Sequence, residues 1–202
     1  MAFTIDDTML PARLTSHPMT DEEFAELCAE HPDLFFEMTA EGELIVMPAT
    51  HSLTGARNLE VGGQLRDWAR RDSRGIGTDS STGFVLPNGA RRSPEAGWTL
   101  KARIRELSKK SQEGFWHLAP DFVIELKSDT YRLPVVREKM REWIANGFQL
   151  GWLINPDDRS VEIYRPNRDP ELRSGVEWIE GEGPVEGFTL NLGPVWDPLG
   201  TS

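Results

Sequence analysis

Apolar residues recur along this chain at two periods, and each period predicts a different kind of element. Near the start, Thr20 is followed three residues later by Glu23, the reciprocal pair of a capping box, and Phe24, Leu27 and Cys28 form an apolar stripe behind it. That pattern predicts a helix over 21–30, stopped by Pro32. FFEM and ELIVM flank the turn-prone TAEG and read as a β-hairpin with Glu37 on its first strand. From about Leu53 to Arg70, the residues Leu59, Gly62, Gly63, Leu65, Arg66 and Trp68 describe a long helix packed on one side, its glycines suggesting close approach of another backbone. Residues 75–98 read as strand, turn at Pro87-Asn88-Gly89, and a second strand carrying Glu95.

The clearest strand is DFVIEL, bounded by Pro120 before it and the polar Ser128-Asp129-Thr130 after it; its near-continuous apolar character suits a central strand covered on both faces. A helix from about Leu133 to Asn146 follows, with Val136, Met140, Trp143 and Ile144 on one face and Asn146-Gly147 as its stop. GWLIN, a turn at Pro156-Asp157-Asp158, and SVEIYRP make another hairpin. Strand, helix and strand in this order predict a βαβ crossover with parallel strands. The tail beyond Asn167 reads as short strand and loop. The expected architecture is one α/β domain over 1–202: a mixed sheet flanked by helices, with additional β-hairpins.

With 202 residues, 38 % hydrophobic and seven Trp, the chain can fill one core, and no repeat or linker-like stretch divides it. No window approaches ~18 consecutive apolar residues, and MAFTIDDTML lacks the basic start and apolar middle of a signal peptide, so a cytoplasmic location away from membranes is expected. The single Cys28 reads as a buried thiol. His17, His31, His51 and His117 pair with no other His or Cys at ligand spacing, which argues against a zinc site. Twenty-two Lys and Arg against 33 Asp and Glu give a net charge of −11, the wrong sign for tight non-specific DNA binding. A divalent cation could reverse that field locally.

Chemistry enters through Glu125-Leu126-Lys127. A period of two puts both ionisable side chains on one face of an otherwise apolar strand, where charges are costly unless paired, hydrated or metal-bound. The plain alternative is a structural ion pair on a half-exposed strand. Asp121 lies on the same face, but four strand residues span roughly 13 Å, too far to share one Mg²⁺ with Glu125. The second acid must come from a neighbouring strand, and Glu95 in Arg-Ser-Pro-Glu is the best-placed candidate; taken alone it reads sooner as an ordinary loop carboxylate. No phosphate loop or nucleophile elbow supports another hydrolase class.

Four blocks taken together, FFEMTAEGELIVMP, SSTGFVLPNGARRSPEAGW, APDFVIELKSDT and REKMREWIANGFQLGWLINPDDRSVEIYRP, resemble the Uma-two family of restriction endonucleases within the PD-(D/E)XK superfamily, from about Phe35 to Pro166. The resemblance implies a restriction-endonuclease-like fold and a site of Glu37, Glu95, Glu125, Lys127 and Lys139. It implies that Glu95 and Glu125 hold Mg²⁺, or Mn²⁺, that Lys127 orients or activates the attacking water, that Glu37 holds a second metal or positions the lysine, and that Lys139 supports or replaces Lys127. Lys139 could instead form a helical pair with Glu142. The family usually has Asp where this chain has Glu95, and often His where Thr54 precedes Gly55; His51 receives no role. The implied function is a metal-dependent endonuclease on DNA, expected as a homodimer because cutting two strands suits a two-fold assembly. The competing reading is a degenerate nuclease fold acting as a binding or scaffold module, favoured by Glu95 and by the −11 charge.

Overall fold

The structure, a computed structural model, describes residues 11–47, 49–128 and 131–201. The reading of residues 1–10 as unlike a signal peptide and the Asp129-Thr130 part of the polar boundary lie outside them. Strand β1 (Ala12–Thr15) leads to helix α1 (Asp21–Glu30), which is the capped helix the sequence predicts. The Glu23 amide donates to Thr20 Oγ1 at 3.2 Å, and the Thr20 amide donates to Glu23 Oε2 at 2.8 Å. Strands β2 (Phe35–Met38) and β3 (Glu43–Met47) form the expected antiparallel hairpin. Helix α2 (Ser52–Asp72) and strand β4 (Gly75–Asp79) follow.

Residues 75–98 do not form one hairpin. Strands β5 (Phe84–Val85) and β6 (Arg91–Arg92) pair around the predicted turn, where Gly89 has φ +89°, but they belong to a separate sheet with order β1-β3-β2-β6-β5. Strand β4 pairs instead with β7 (Ala96–Leu100). Glu95 therefore lies not on a hairpin arm but in the short Ser93-Pro94-Glu95 link, where proline interrupts the ladder between two sheets.

After short helices α3 (Lys101–Glu106) and α4 (Lys109–Glu113), strand β8 (Phe122–Leu126), helix α5 (Leu133–Ala145) and strand β9 (Leu150–Asn155) make the predicted crossover. Helix α5 ends at Asn146, and Gly147 follows with φ +101°, a backbone angle that side chains resist. Strands β10 (Ser160–Tyr164) and β11 (Glu171–Ser174) complete a six-stranded sheet of order β11-β10-β9-β8-β7-β4, in which β8 and β9 run parallel and the other pairs antiparallel.

Both faces of this mixed sheet are covered. Val123 and Leu153 meet Val136, Met140 and Trp143 of α5, while Ile124, Leu126, Trp152 and Ile154 meet Val61, Leu65 and Trp68 of α2. That second layer is completed by the tail, where strands β12 (Trp178–Glu180) and β13 (Thr189–Asn191) and helix α6 (Gly193–Trp196) bury Ile179, Phe188, Leu190 and Val195. Phe188 stacks on Trp152 with ring centroids 5.6 Å apart. The tail is thus a core layer rather than peripheral loop. Two details of α2 also differ from the sequence reading: Leu59 is 75 % exposed, and Gly62 and Gly63 face open space rather than another backbone. Cys28 is half-buried at the edge of the α1 core rather than fully enclosed.

Candidate active site

The antiparallel register of β7 and β8 ends at the Ala96–Ile124 pair, and the residues next to it on each side, Glu95 and Glu125, line one cleft on the sheet face that carries Val123 and repel each other. That face looks toward α5 and, beyond it, toward the β2–β3 hairpin, which contributes Glu37. Glu37 and Glu125 are only 4 % and 3 % exposed, so each needs partners to carry a charge.

Lys139 supplies the first. Its Nζ lies 2.8 Å from Glu37 Oε1 and 3.0 Å from Glu125 Oε1, and it donates to the Ser93 carbonyl at 2.8 Å. The Trp143 indole, one helical turn further along α5, donates to Glu125 Oε1 at 2.8 Å. Glu37 also accepts from Arg92 Nη1 and from the Ser93 amide, each at 3.0 Å. Arg92 in turn donates to Glu142 Oε2 at 2.5 Å, and Asn58 Nδ2 donates to Glu95 Oε2 at 2.5 Å.

Burial would raise every carboxyl here, and the neighbouring charges decide which of them stay ionised. For Glu37, burial pushes the pKa up, but the Lys139 and Arg92 cations outweigh it and hold the group below the usual carboxylate range. Burial pushes Glu125 up despite Lys139, with the Glu37 charge adding to the rise. Glu95 reaches about 7 through burial and then through repulsion from Glu125. Burial alone would lower Lys139, but Glu125 and Glu37 reverse this and keep it protonated. Tyr131, nearby, is raised to about 12 by burial and by the Glu37 charge, so its phenol stays a neutral donor.

These groups line a cleft of about 640 Å³ between the β2–β3 hairpin, the start of α2, and α5. Of the residues singled out in sequence, Glu37, Glu95, Glu125 and Lys139 converge there. Lys127 does not line it: beyond the end of β8 its amide bonds the Ile154 carbonyl, and its ammonium pairs with Asp157 in the β9–β10 turn. Lys139 is not in a helical pair with Glu142, which faces Arg92 and Asn88 instead. Asn58, Arg92 and Trp143 were not anticipated as site residues. The only signal for Arg92 was two consecutive arginines just before Ser-Pro-Glu, and nothing local marks Asn58. Among the described residues, no group of three or more His, Cys, Asp or Glu is arranged to hold a metal ion by itself.

The fold is thus a mixed α/β sheet covered by helices, with Glu37, Glu95, Glu125 and Lys139 gathered at one cleft. A crystal structure of a putative nuclease belonging to DUF820 from Anabaena variabilis shares it, with a TM-score of 0.72, 21 % identity, and coverage of 89 % of this chain and 98 % of that one. The profile of the Uma2 family, described as "Putative restriction endonuclease", matches residues 21–193, and the chain belongs to that family. No curated protein sequence matches. No helix among the described residues is long and apolar enough to cross a membrane.

Proposed function

We propose that this protein is a metal-dependent endonuclease hydrolysing phosphodiester bonds in DNA, acting as a homodimer, with Glu95, Glu125, Glu37 and Lys139 as its working groups. The observation that carries this reading is an imbalance of charge in the cleft. Around the buried acids, four carboxyl groups, Glu37, Glu95, Glu125 and Glu142, meet two cations, Arg92 and Lys139, a local excess of two negative charges when all are ionised, and the outer lining, Glu41, Glu43 and Glu138 against Arg13 and Arg141, does not offset it. Glu95, raised to about 7 by burial first and then by repulsion from Glu125, is where the excess is felt. One divalent cation would cancel the excess, and Mg²⁺ needs only one or two carboxylates because water and substrate phosphate complete its shell. The hard oxygen donors of Glu95 and Glu125 fit that requirement.

A bound Mg²⁺ or Mn²⁺ would supply polarisation of the phosphoryl oxygen and a water of lowered pKa. Trp143 and Lys139 fix the orientation of Glu125. Lys139 is held protonated, so its role is that of a fixed cation offsetting charge that develops on the phosphate, not that of a base. Glu37, clamped by Arg92 and Ser93, positions that ammonium. Lys127 would have to leave Asp157 to take part, which makes it the weaker of the two lysine candidates. The net charge of −11 favours a second reading, a binding module on an inactive nuclease fold.

The test is plasmid nicking with Mg²⁺ or Mn²⁺ by the native chain, Glu125→Ala and Lys139→Ala. Metal-dependent nicking that drops by roughly 10²-fold or more in both variants supports the enzyme. Equal cutting by all three proteins would rule the site out, and no cutting by native protein that still binds the plasmid would favour the binding module.

A further inference from the structure

The cleft wall beside the carboxylates carries an aromatic ring that the fold leaves uncovered. Strand β2 alternates: Phe36 and Met38 turn into the core against Phe24 of α1, while Phe35 and Glu37 face the cleft. Glu37 is enclosed by its partners, whereas Phe35 is 44 % exposed. Met47, paired directly with Phe35 across the hairpin, and Ile45, paired with Glu37, extend the same wall. An apolar strip thus leads from the mouth of the cleft to the acids.

Resting on the nuclease reading above, we infer that Phe35 is a stacking platform for an unpaired base and that the preferred substrate is a single-stranded or locally unpaired segment of DNA. Three features support this. Phe35 and Glu37 are two residues apart on one strand face, roughly 6.6 Å, and Glu37 shares the Lys139 ammonium with Glu125, so a base lying on the ring would belong to a nucleotide close to a phosphate held at Glu95 and Glu125. A cleft of about 640 Å³ has the size of a site for a small ligand, enough for a short segment of one strand and not for the body of a duplex. Within a duplex, bases stack on one another and offer no free face; only an unpaired or extruded base can lie on a protein ring. Base–aromatic stacking is tolerant of sequence because every base has a π-face, so selection would be for unpaired structure rather than for a recognition sequence.

The experiment compares cleavage of one DNA sequence as a single strand, a full duplex and a duplex with an unpaired stretch, by native protein, Phe35→Ala, Phe35→Leu and Phe35→Trp, with thermal melting of each variant. Expected are preferential cutting of the unpaired substrates, a rise in KM of about ten- to a hundred-fold in Phe35→Ala and Phe35→Leu with kcat within a few-fold of native, and recovery in Phe35→Trp. The leucine variant keeps apolar bulk without a ring, so a loss there separates stacking from packing even if the alanine variant melts early. Equal cutting of duplex and single strand, or an unchanged KM in Phe35→Leu, overturns the platform while leaving the nuclease intact. Failure of the native protein to cut any of the three substrates overturns the nuclease reading and this inference with it.

Discussion

Strand β8 carries an acid at each end, and the two are treated differently. Asp121, just before the strand, is fully buried, and its carboxylate accepts from the Leu100 amide at 2.9 Å, from Arg103 at 2.8 Å and from Gln149 at 2.8 Å. Glu125, four residues on, is nearly as buried, but it borders the cleft, lies close enough to Glu95 to repel its charge, and shares its one cation with Glu37. At one end several donors converge on a single acid. At the other, acids outnumber cations, and burial together with the Glu125 charge raises Glu95 to about 7. Burial of a carboxylate therefore does not mark a site by itself; an uncompensated charge beside open space does.

The sharpest way to break this contrast is to remove the charge at each end. Glu125→Gln keeps an acceptor for Trp143 and is expected to cut nuclease activity by about 10²- to 10³-fold while changing stability by less than about 1 kcal/mol, read by nicking rate and urea midpoint. Asp121→Ala should do the reverse. Stranding Arg103, Gln149 and a backbone amide should cost about 3 kcal/mol in the urea midpoint, with the activity of the folded fraction retained. If Asp121→Ala abolishes activity without destabilising the protein, the division of labour along β8 is wrong.

Titration gives a third, smaller effect. A carboxyl whose folded pKa is raised binds more protons in the native state between its unfolded value of 4.5 and about 7, so its contribution to stability falls as pH rises through that window. A metal that binds ionised Glu95 should behave oppositely, with affinity weakening roughly tenfold for each pH unit below 7. Melting curves with and without Mg²⁺ at pH 6 and pH 8 check both signs: the metal should raise the melting temperature more at pH 8. The smallest effect is expected for Lys127→Ala. Its partner Asp157 is 58 % exposed, so the pair should contribute about 0–1 kcal/mol, and activity should stay within a few-fold of native, whereas Lys139→Ala loses it. A Lys127→Ala variant as inactive as Lys139→Ala would reverse the choice between the two lysines.

What could be read without coordinates was set by neighbours along the chain. The Thr20–Glu23 cap, the turn at Gly89 and the stop at Asn146-Gly147 all depend on contacts within a few residues, where spacing decides geometry, and the crossover through 122–155 pairs residues 28 apart but follows from the order strand, helix, strand. Glu125 was visible because a charge in a buried strand breaks a local rule, and Glu95 because it must sit one strand away. The partners that set the electrostatics were not visible: Asn58 is 37 positions from Glu95, and Arg92 is 55 from Glu37. Which lysine reaches the acids was equally hidden, since strand alternation gives Lys127 a face but not a partner, and helix α5 brings Lys139 in from 14 residues away. The tail escaped notice for a related reason, because its short strands have too few residues for a periodic signal and become a core layer only through packing on Trp152 and Trp68. Local chemistry chose the elements of this protein, and the closing of two sheets on one cleft decided which charges would have to live together there.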